Sequence, residues 1–199
     1  MAAVDVHLVG GAERPVRLVL LHGHGGSPEA MLEAAVALAD AVDVQVLLPR
    51  GPQAAEDGWA WWPPGTACEP QTVASVRDLV SGPRPTVLAG FSQGGAMALL
   101  ACARAPGLAA GLAVVCGFVP DDVVDLSGGR AALPPVLVLH GEDDEVVDPM
   151  HGRMVARWCE RQGQGRVTSA LYAGGHDWLP ETSAAVAGWV DELGLLRPA

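Results

Sequence analysis

Short apolar runs recur along the chain and are separated by polar breaks that contain Gly or Pro. Most runs are continuous rather than alternating, which is typical of strands that helices bury on both faces. The first run precedes every helical stretch, so we expect it to form an antiparallel strand at the sheet edge. The predicted strands are Val4–Val9, Val16–Leu21, Val44–Leu48, Thr86–Ala89, Leu112–Cys116, Val136–Leu139 and Val167–Tyr172.

Stretches with helical spacing lie between these runs. Ser27 followed by Pro28 is a helix start, because serine caps free amides and proline fits the first helical turn. Strands and helices alternate, which predicts an α/β protein with a mostly parallel sheet and helices on both faces. The predicted helices are 27–40, Pro70–Val80, Gln93–Ala105, Pro149–Arg161 and Pro180–Leu193.

Two stretches interrupt this alternation, and each follows the carboxyl end of a predicted strand. Gly51–Pro70 reads as a loop and contains Trp59, Trp61 and Trp62, whereas Val119–Pro134 is an acidic connection broken by Gly and Pro. In open α/β sheets the ligand crevice lies at the carboxyl ends of the strands, so both stretches are candidate pocket walls. The tryptophans have two interpretations, hydrophobic packing or an apolar wall for an acyl group.

Composition narrows the class of protein. The chain has 199 residues, which predicts a single domain over 1–199, and its 50% hydrophobic content excludes a disordered chain. The net charge of −11 repels phosphate backbones and anionic lipids, so neither nucleic acid nor a membrane surface is an expected partner. Every basic residue is an arginine, which excludes lysine-based chemistry.

Cysteine usage and the N-terminus bear on the compartment. The 4 cysteines show no CxxC spacing, which favours free thiols in a reducing cytosol over a disulfide framework. The N-terminus has no basic segment followed by a sustained apolar stretch. We therefore expect a cytoplasmic protein without a membrane anchor; a signal removed ahead of this numbering stays an open alternative.

A G-x-S-x-G pattern is centred on Ser92. An apolar strand-like run leads into it and a helix-forming run leaves it, which is the strand–turn–helix setting that a nucleophilic serine requires. In that setting the backbone N–H of Gln93, at the helix start, faces the space where an oxyanion would form. The alternative is a glycine-rich turn with an ordinary capping serine.

A nucleophilic serine needs a base and an orienting acid, which follow it along the chain in the order acid, then histidine. His176 lies in a glycine loop after the last predicted strand and is the candidate base, whereas His140 is interpreted as structural and His151 as a surface residue. The acid comes from the five carboxylates within 142–148. A solvated acidic turn or a calcium loop are the alternatives for that cluster.

The loop after an early strand is expected to supply a second oxyanion donor. Residues 22–26 read His-Gly-His-Gly-Gly, and these glycines let the backbone turn its N–H groups toward the serine. The pair His22 and His24 also suggests a metal site, but neither a Cys nor a carboxylate lies nearby in the sequence to complete it.

Four segments carry a resemblance to a known family. They read LHGHG over Leu21–Gly25, GFSQGGAMAL over Gly90–Leu99, CGFVP over Cys116–Pro120 and HGEDDEVV over His140–Val147. In that order they resemble the LHGLG oxyanion loop, the GFSQGGAMAL elbow, the SGYLP segment and the HGxxDxxV segment of the phospholipase/carboxylesterase family. This family of α/β-hydrolases includes the acyl-protein thioesterases.

The resemblance implies a role for each member of a catalytic triad. Ser92 would be the nucleophile and His176 the base, and the HGxxD register makes Asp144 the acid, with Asp143 as the alternative. The resemblance also implies an α/β-hydrolase fold and hydrolysis of carboxylic esters or thioesters, with no cofactor and no metal.

The oxyanion donors implied by the resemblance are the backbone N–H groups of His24 and Gln93. His24 stands where the family has an apolar residue, and Asp148 stands where it has proline. The stretch ahead of the elbow is short, which implies a minimal cap. The tryptophan-rich segment, together with Phe118, is therefore the expected wall of the substrate pocket.

Taken together, the sequence predicts a serine carboxylesterase that acts on a small-molecule acyl ester, with a homodimer as a candidate assembly. A thioesterase or a lysophospholipase would use the same triad, so both stay open alternatives. A catalytically silent hydrolase fold that only binds a ligand is the alternative from a different class.

Overall fold

A computed structural model describes residues 5–124, 132–162 and 166–196. Seven strands form one sheet in the order β1-β3-β2-β6-β7-β8-β9. β1 pairs with β3 in antiparallel orientation at one edge, as predicted, and the other neighbouring strands pair in parallel. The strands of this sheet are β1 (Val6–Val9), β2 (Val16–Leu21), β3 (Val44–Pro49), β6 (Thr86–Phe91), β7 (Gly111–Val115), β8 (Val136–Gly141) and β9 (Val167–Tyr172).

Helices cover both faces of the sheet, which confirms the predicted α/β class. Buried residues of α2, α3 and α5 form one apolar core against the sheet, and those of α1 and α6 form the other. A single 3-10 turn, Glu29–Met31, precedes the first helix. The helices are α1 (Leu32–Ala41), α2 (Pro70–Val80), α3 (Gln93–Arg104), α4 (Asp121–Val124), α5 (Met150–Gln162) and α6 (Pro180–Glu192). Among the described residues, none of the helices is long and apolar enough to cross a membrane.

The predicted loop Gly51–Pro70 contains a small antiparallel hairpin instead of continuous coil. It consists of β4 (Gln53–Ala55) and β5 (Gly58–Ala60). The amide of Trp59 donates a 2.8 Å hydrogen bond to the carbonyl of Gly26, so the hairpin is held by the loop after β2. Because this partner is distant in sequence, the hairpin carries little local signal. The second predicted connection, Val119–Pro134, begins with α4, and its residues 125–131 lie outside the described residues.

The sheet brings the predicted functional residues together at the carboxyl ends of its parallel strands. Strands β2, β6, β7, β8 and β9 are neighbours and run in parallel, so their carboxyl ends meet on the same side of the molecule. Each is followed directly by one of the segments singled out in the sequence: 22–26, Ser92, Cys116–Pro120, 142–148 and 173–177. The topology alone therefore brings these five segments together.

Candidate active site

Ser92 lies in a strained turn between β6 and α3. Its backbone has φ 52° and ψ −121°, a conformation that a residue with a side chain rarely adopts. The turn is held in place, because the Ser92 amide donates a 2.8 Å hydrogen bond to the carbonyl of Val115 at the end of β7. A methyl group at Gly94 would collide with the carbonyl oxygens of Leu21 and His22. Glycine is therefore required where the helix passes over β2.

His176 and Asp144 form a direct hydrogen bond. His176 Nδ1 lies 2.7 Å from Asp144 Oδ2, and the other carboxylate oxygen accepts hydrogen bonds from the amides of Val146 and Val147 at 3.0 and 2.8 Å. Asp144 is 4% exposed. Burial raises the pKa of this carboxyl, but the hydrogen bonds from His176 and the two amides outweigh it, so the pKa lies below its ordinary value. Asp144 is therefore held as a carboxylate.

The structure separates Asp144 from its sequence alternative, Asp143. The side chain of Asp143 is exposed, and its backbone amide donates a 3.0 Å hydrogen bond to the carbonyl of Gly174 in the loop that carries His176. Of these two neighbours, only Asp144 directs its carboxylate at the imidazole.

A second histidine reaches the same carboxylate. His140 Nε2 lies 3.2 Å from Asp144 Oδ2 and 2.8 Å from the carbonyl oxygen of Val147. The sequence predicted a structural role for His140, and the spacing of four residues from Asp144 was the signal for this contact. His140 is buried at the end of β8 and helps to fix the turn that presents the carboxylate.

Phe91 joins the serine turn to the histidine loop. Phe91 directly precedes Ser92, and its ring centroid lies 4.8 Å from that of His176. The loop after β2 comes close to the same point, because a methyl group at Gly23 would lie 3.3 Å from Ser92 Cβ. The candidate nucleophile, base and oxyanion loop therefore meet around one point.

The two candidate oxyanion residues both line a cavity that opens at Ser92. Its volume is about 640 Å³, and its wall includes His24, Ser92 and Gln93. The Gln93 side chain is itself engaged, since its oxygen accepts from the amide of Trp61 at 3.0 Å and its nitrogen donates to the carbonyl of Trp62 at 2.8 Å. Its backbone N–H belongs to the first turn of α3, where amides have no acceptor within the helix.

The predicted pocket aromatics divide into two groups. Trp62 and Phe118 line the cavity and meet edge to face, with ring centroids 6.5 Å apart. Trp61 is 2% exposed and donates a 2.8 Å hydrogen bond from its indole to the carbonyl of His22. Trp59 lies under the Arg50 guanidinium, 4.2 Å from the ring centroid. Among the described residues, neither Trp59 nor Trp61 is part of the cavity wall.

One wall residue was not singled out from the sequence as a pocket residue. His151, at the start of α5, lines the cavity although the sequence suggested only an Arg-rich surface helix. Asp121 and Asp122 of α4 line it as well, and they lie within Val119–Pro134, one of the two stretches predicted as pocket walls. No periodic pattern marks His151, because it reaches the cavity through the order of the strands.

The described residues hold one group of side chains whose ligand atoms lie close enough to bind a metal, and the pair His22 and His24 is not part of it. Ligand atoms of Cys116, His140 and Asp144 lie within 4.8 Å of one another, but His140 Nε2 and both carboxylate oxygens of Asp144 are engaged in the hydrogen bonds described above. His22 uses both ring nitrogens: Nδ1 donates to the carbonyl of Gly23 at 2.7 Å, and Nε2 accepts from the amide of Gly51 at 2.9 Å. Burial lowers the pKa of His22, so this ring stays neutral and structural.

The serine turn after the middle strand, with an Asp–His pair after the last two strands, defines an α/β-hydrolase. Residues 73–191 match the phospholipase/carboxylesterase family, and the chain belongs to this family of ester hydrolases. A curated relative, "Putative esterase NocK" of Nocardia uniformis subsp. tsuyamanensis, is 36% identical over 148 residues, which cover 66% of this chain. The match spans 40% of that relative's length.

Solved structures share the fold at low sequence identity. Esterase PE8 superposes with a TM-score of 0.78 and 20% identity, over 96% of this chain and 99% of its own. Acyl-protein thioesterase 2 of Zea mays superposes with a TM-score of 0.75 and 20% identity, over 96% of this chain and 99% of its own. At this identity the likeness shows the fold and does not identify the substrate.

Proposed function

We propose that this protein is a serine esterase in which Ser92, Asp144 and His176 form the catalytic triad. The observation that carries the proposal is the 2.7 Å hydrogen bond from His176 Nδ1 to a buried carboxylate, beside a serine in a strained strand–turn–helix. Because Nδ1 holds its proton for Asp144, the lone pair on Nε2 is free to accept the proton of the Ser92 hydroxyl.

The reaction then runs in two steps. Ser92 Oγ attacks the ester carbonyl while His176 takes the hydroxyl proton, and the backbone N–H groups of Gln93 and His24 stabilise the oxyanion. The C–O bond to the alcohol breaks, and His176 gives the proton to the departing oxygen, which leaves an acyl-enzyme. A water molecule, deprotonated by His176, repeats the sequence, releases the acid and restores Ser92.

The cavity beside Ser92 is the proposed site for the acyl group. His176 must protonate the leaving oxygen, so the alcohol has to lie on the His176 side of Ser92. The described lining of the cavity includes both oxyanion candidates and Ser92 but not His176, which supports a site for the acyl group and not for the alcohol. Trp62 and Phe118 provide its apolar wall, which suits a small or medium acyl chain.

The experiment compares p-nitrophenyl esters of increasing acyl length with thioesters that carry the same acyl groups. Ester hydrolysis with a ratio of kcat/KM above one over the matched thioester supports a carboxylesterase, and the reverse ratio assigns the same triad to a thioesterase. A lysophospholipid in the same series tests the lysophospholipase alternative.

Ser92→Ala tests the nucleophile directly. We expect kcat to fall by about 1,000-fold or more, since loss of a triad member typically costs at least that much. A fluorophosphonate probe should label the wild-type protein and not the variant. Ser75→Ala, at a half-buried position on α2 outside the candidate site, is the matched control and should behave as wild type. A wild-type protein that neither hydrolyses esters nor reacts with the probe would be a silent binding fold.

A further inference from the structure

The loop that carries His176 needs an external anchor. It consists of residues 173–177, and Gly174 has φ 156°, a conformation open mainly to glycine. Gly174 and Gly175 directly precede His176, and two consecutive glycines give the backbone of this loop many accessible conformations. A catalytic imidazole must nevertheless stay within about 0.5 Å of its productive position. Some contact has to remove this freedom.

Tyr172 contacts both ends of this loop. It is the last residue of β9, and its carbonyl accepts a 3.0 Å hydrogen bond from the amide of Glu142 after β8. Its hydroxyl donates a 2.6 Å hydrogen bond to the carbonyl of Asp177, the residue that follows His176. The same side chain therefore closes the loop across the base.

Cys116 orients the Tyr172 hydroxyl. Cys116 Sγ lies 3.0 Å from this hydroxyl oxygen. Tyr172 has one hydroxyl proton and gives it to Asp177, so the thiol must be the donor in this contact. Burial raises the pKa of Cys116 to about 11, so the thiol keeps its proton at neutral pH. Burial likewise raises the pKa of Tyr172.

The backbone of Cys116 is itself strained into position. It has φ 47°, one of the two positive values among the described residues other than glycine, and Ser92 is the other. Its amide donates a 2.9 Å hydrogen bond to the carbonyl of Leu139 in β8. A conformation of this kind persists where the surroundings fix it, and such residues cluster at functional sites.

We propose that Tyr172 is a positioning residue for His176, and that the Cys116 thiol holds the Tyr172 hydroxyl in place for this task. Neither side chain touches the reacting atoms. Their effect is to hold the imidazole between Asp144 and Ser92, through the chain Cys116–Tyr172–Asp177. The inference rests on the proposed triad and adds a part to it.

Tyr172→Phe removes the hydroxyl and keeps the ring. We expect kcat for a p-nitrophenyl ester to fall by about 10- to 100-fold, the range expected when a catalytic group is displaced by about 1 Å. KM should stay within about twofold, because the acyl cavity does not include this residue among its described lining. The rate of fluorophosphonate labelling should fall in parallel with kcat.

Thr86→Val is the matched control. Thr86 is buried at the opposite end of the sheet, where its hydroxyl accepts a 3.1 Å hydrogen bond from Arg17 and donates one of 3.2 Å to the carbonyl of Arg84. This variant loses a hydrogen-bonded hydroxyl, as Tyr172→Phe does, but should keep kcat while its melting temperature falls. A loss of kcat in both variants that follows their melting temperatures would overturn the positioning role.

Two substitutions at Cys116 complete the test and stand on their own if Tyr172→Phe does not fold. Cys116→Ser keeps a proton donor and should retain most of kcat, whereas Cys116→Ala removes the donor and should lower kcat by several-fold. Equal kcat in the two variants, or a Tyr172→Phe protein within twofold of wild type, would overturn the inference. Loss of activity in Ser92→Ala would still support the triad in that case, so the two failures are distinguishable.

Discussion

At the scale of single residues, the carboxylate of Asp144 is the most heavily constrained group of the site. It accepts hydrogen bonds from His176 and from two backbone amides, and His140 lies 3.2 Å from it. A buried carboxylate with this many donors stays ionised and cannot rotate away. The orientation of His176 therefore depends on how the turn after β8 is folded.

Asp144→Asn should lower kcat by about 10,000-fold, because an amide can stabilise the wrong tautomer of the imidazole. Asp143→Asn should stay close to wild type, since its side chain is exposed and its contact with Gly174 uses the backbone. Steady-state kinetics of the two variants in one ester assay checks the assignment. A crippled Asp143 variant beside an active Asp144 variant would reverse it.

The pKa of Asp144 also links this residue to acid stability. A carboxyl whose pKa is lowered by folding stabilises the protein above its unfolded value of about 4, and this stabilisation is lost as the pH falls through the lower, folded value. We expect the free energy of unfolding of the wild type to fall with decreasing pH below about pH 4. Asp144→Asn should show a flatter dependence over that interval. Urea titrations of both proteins at several pH values measure the difference, and parallel curves would contradict it.

At the scale of elements, the crossing of α3 over β2 decides whether the serine turn can form. Gly94 lies where any side chain would collide with backbone oxygens of Leu21 and His22, and backbone cannot move aside as a side chain can. The match of the elbow to its family pattern is thus explained by packing as well as by chemistry.

Gly94→Ala should destabilise the fold by several kcal/mol or prevent folding, because overpacking against a rigid backbone costs at least about 1–3 kcal/mol. Gly188→Ala is the paired control. Gly188 lies on the exposed face of α6, where a methyl group meets nothing within 4 Å, so this change should stabilise the helix by about 0.5–1 kcal/mol. Thermal unfolding of both variants distinguishes a steric effect from a general effect of removing glycine.

Element packing also separates the tryptophans of the 51–70 segment. We expect Trp62→Ala and Phe118→Ala to shift the preference of the enzyme toward longer acyl chains, because both rings line the cavity. Trp59→Ala should leave the preference unchanged and affect only stability, since its ring contacts Arg50. The measurement is kcat/KM over the ester series. An unchanged preference in both cavity variants would show that Trp62 and Phe118 do not line the acyl site.

At the scale of the whole molecule, charge decides which substrates approach most readily. The net charge is −11, and the edge that carries the site exposes acidic residues such as Asp121, Glu142, Asp143 and Asp177. A surface of one sign raises the local concentration of ligands of opposite charge, and salt screens the effect.

A choline ester should therefore be hydrolysed with a several-fold higher kcat/KM than its uncharged 3,3-dimethylbutyl counterpart at low ionic strength. The advantage should shrink as salt is raised to about 0.5 M, where the screening length falls to a few ångströms. Rates for both esters across a salt series test this. A ratio that does not change with salt would place the discrimination in direct contacts instead of the overall field.

The sequence predicted those parts of the molecule that depend on local pattern. Continuous apolar runs such as Val136–Leu139 gave the parallel sheet, and Pro70–Val80 was predicted with the bounds that the structure has. The elbow motif spans a strand, a turn and a helix, so this local pattern also predicted the α/β-hydrolase fold and the family. Both predictions are confirmed.

What the sequence did not reveal depends on contacts between distant segments. The hairpin of β4 and β5 is fixed by Gly26, and His151 joins the cavity only because α5 begins beside it. Tyr172 was read as the end of a strand, and nothing local marks its bond across the histidine loop. Periodicity reports which face of an element is buried, but it carries no information about which partner covers that face.

The side chain of Gln93 has a consequence for how this enzyme could be re-engineered. It ties the amide of Trp61 and the carbonyl of Trp62 to the residue whose own backbone is a proposed oxyanion donor. The position of the cavity wall and the position of the proposed oxyanion donor therefore both depend on Gln93. Libraries that vary residues 64–67 while Gln93 is kept should yield altered acyl selectivity at preserved turnover. Libraries that also vary Gln93 should lose acyl selectivity and turnover together. The residues that can be varied with profit are therefore 64–67 of the cavity wall.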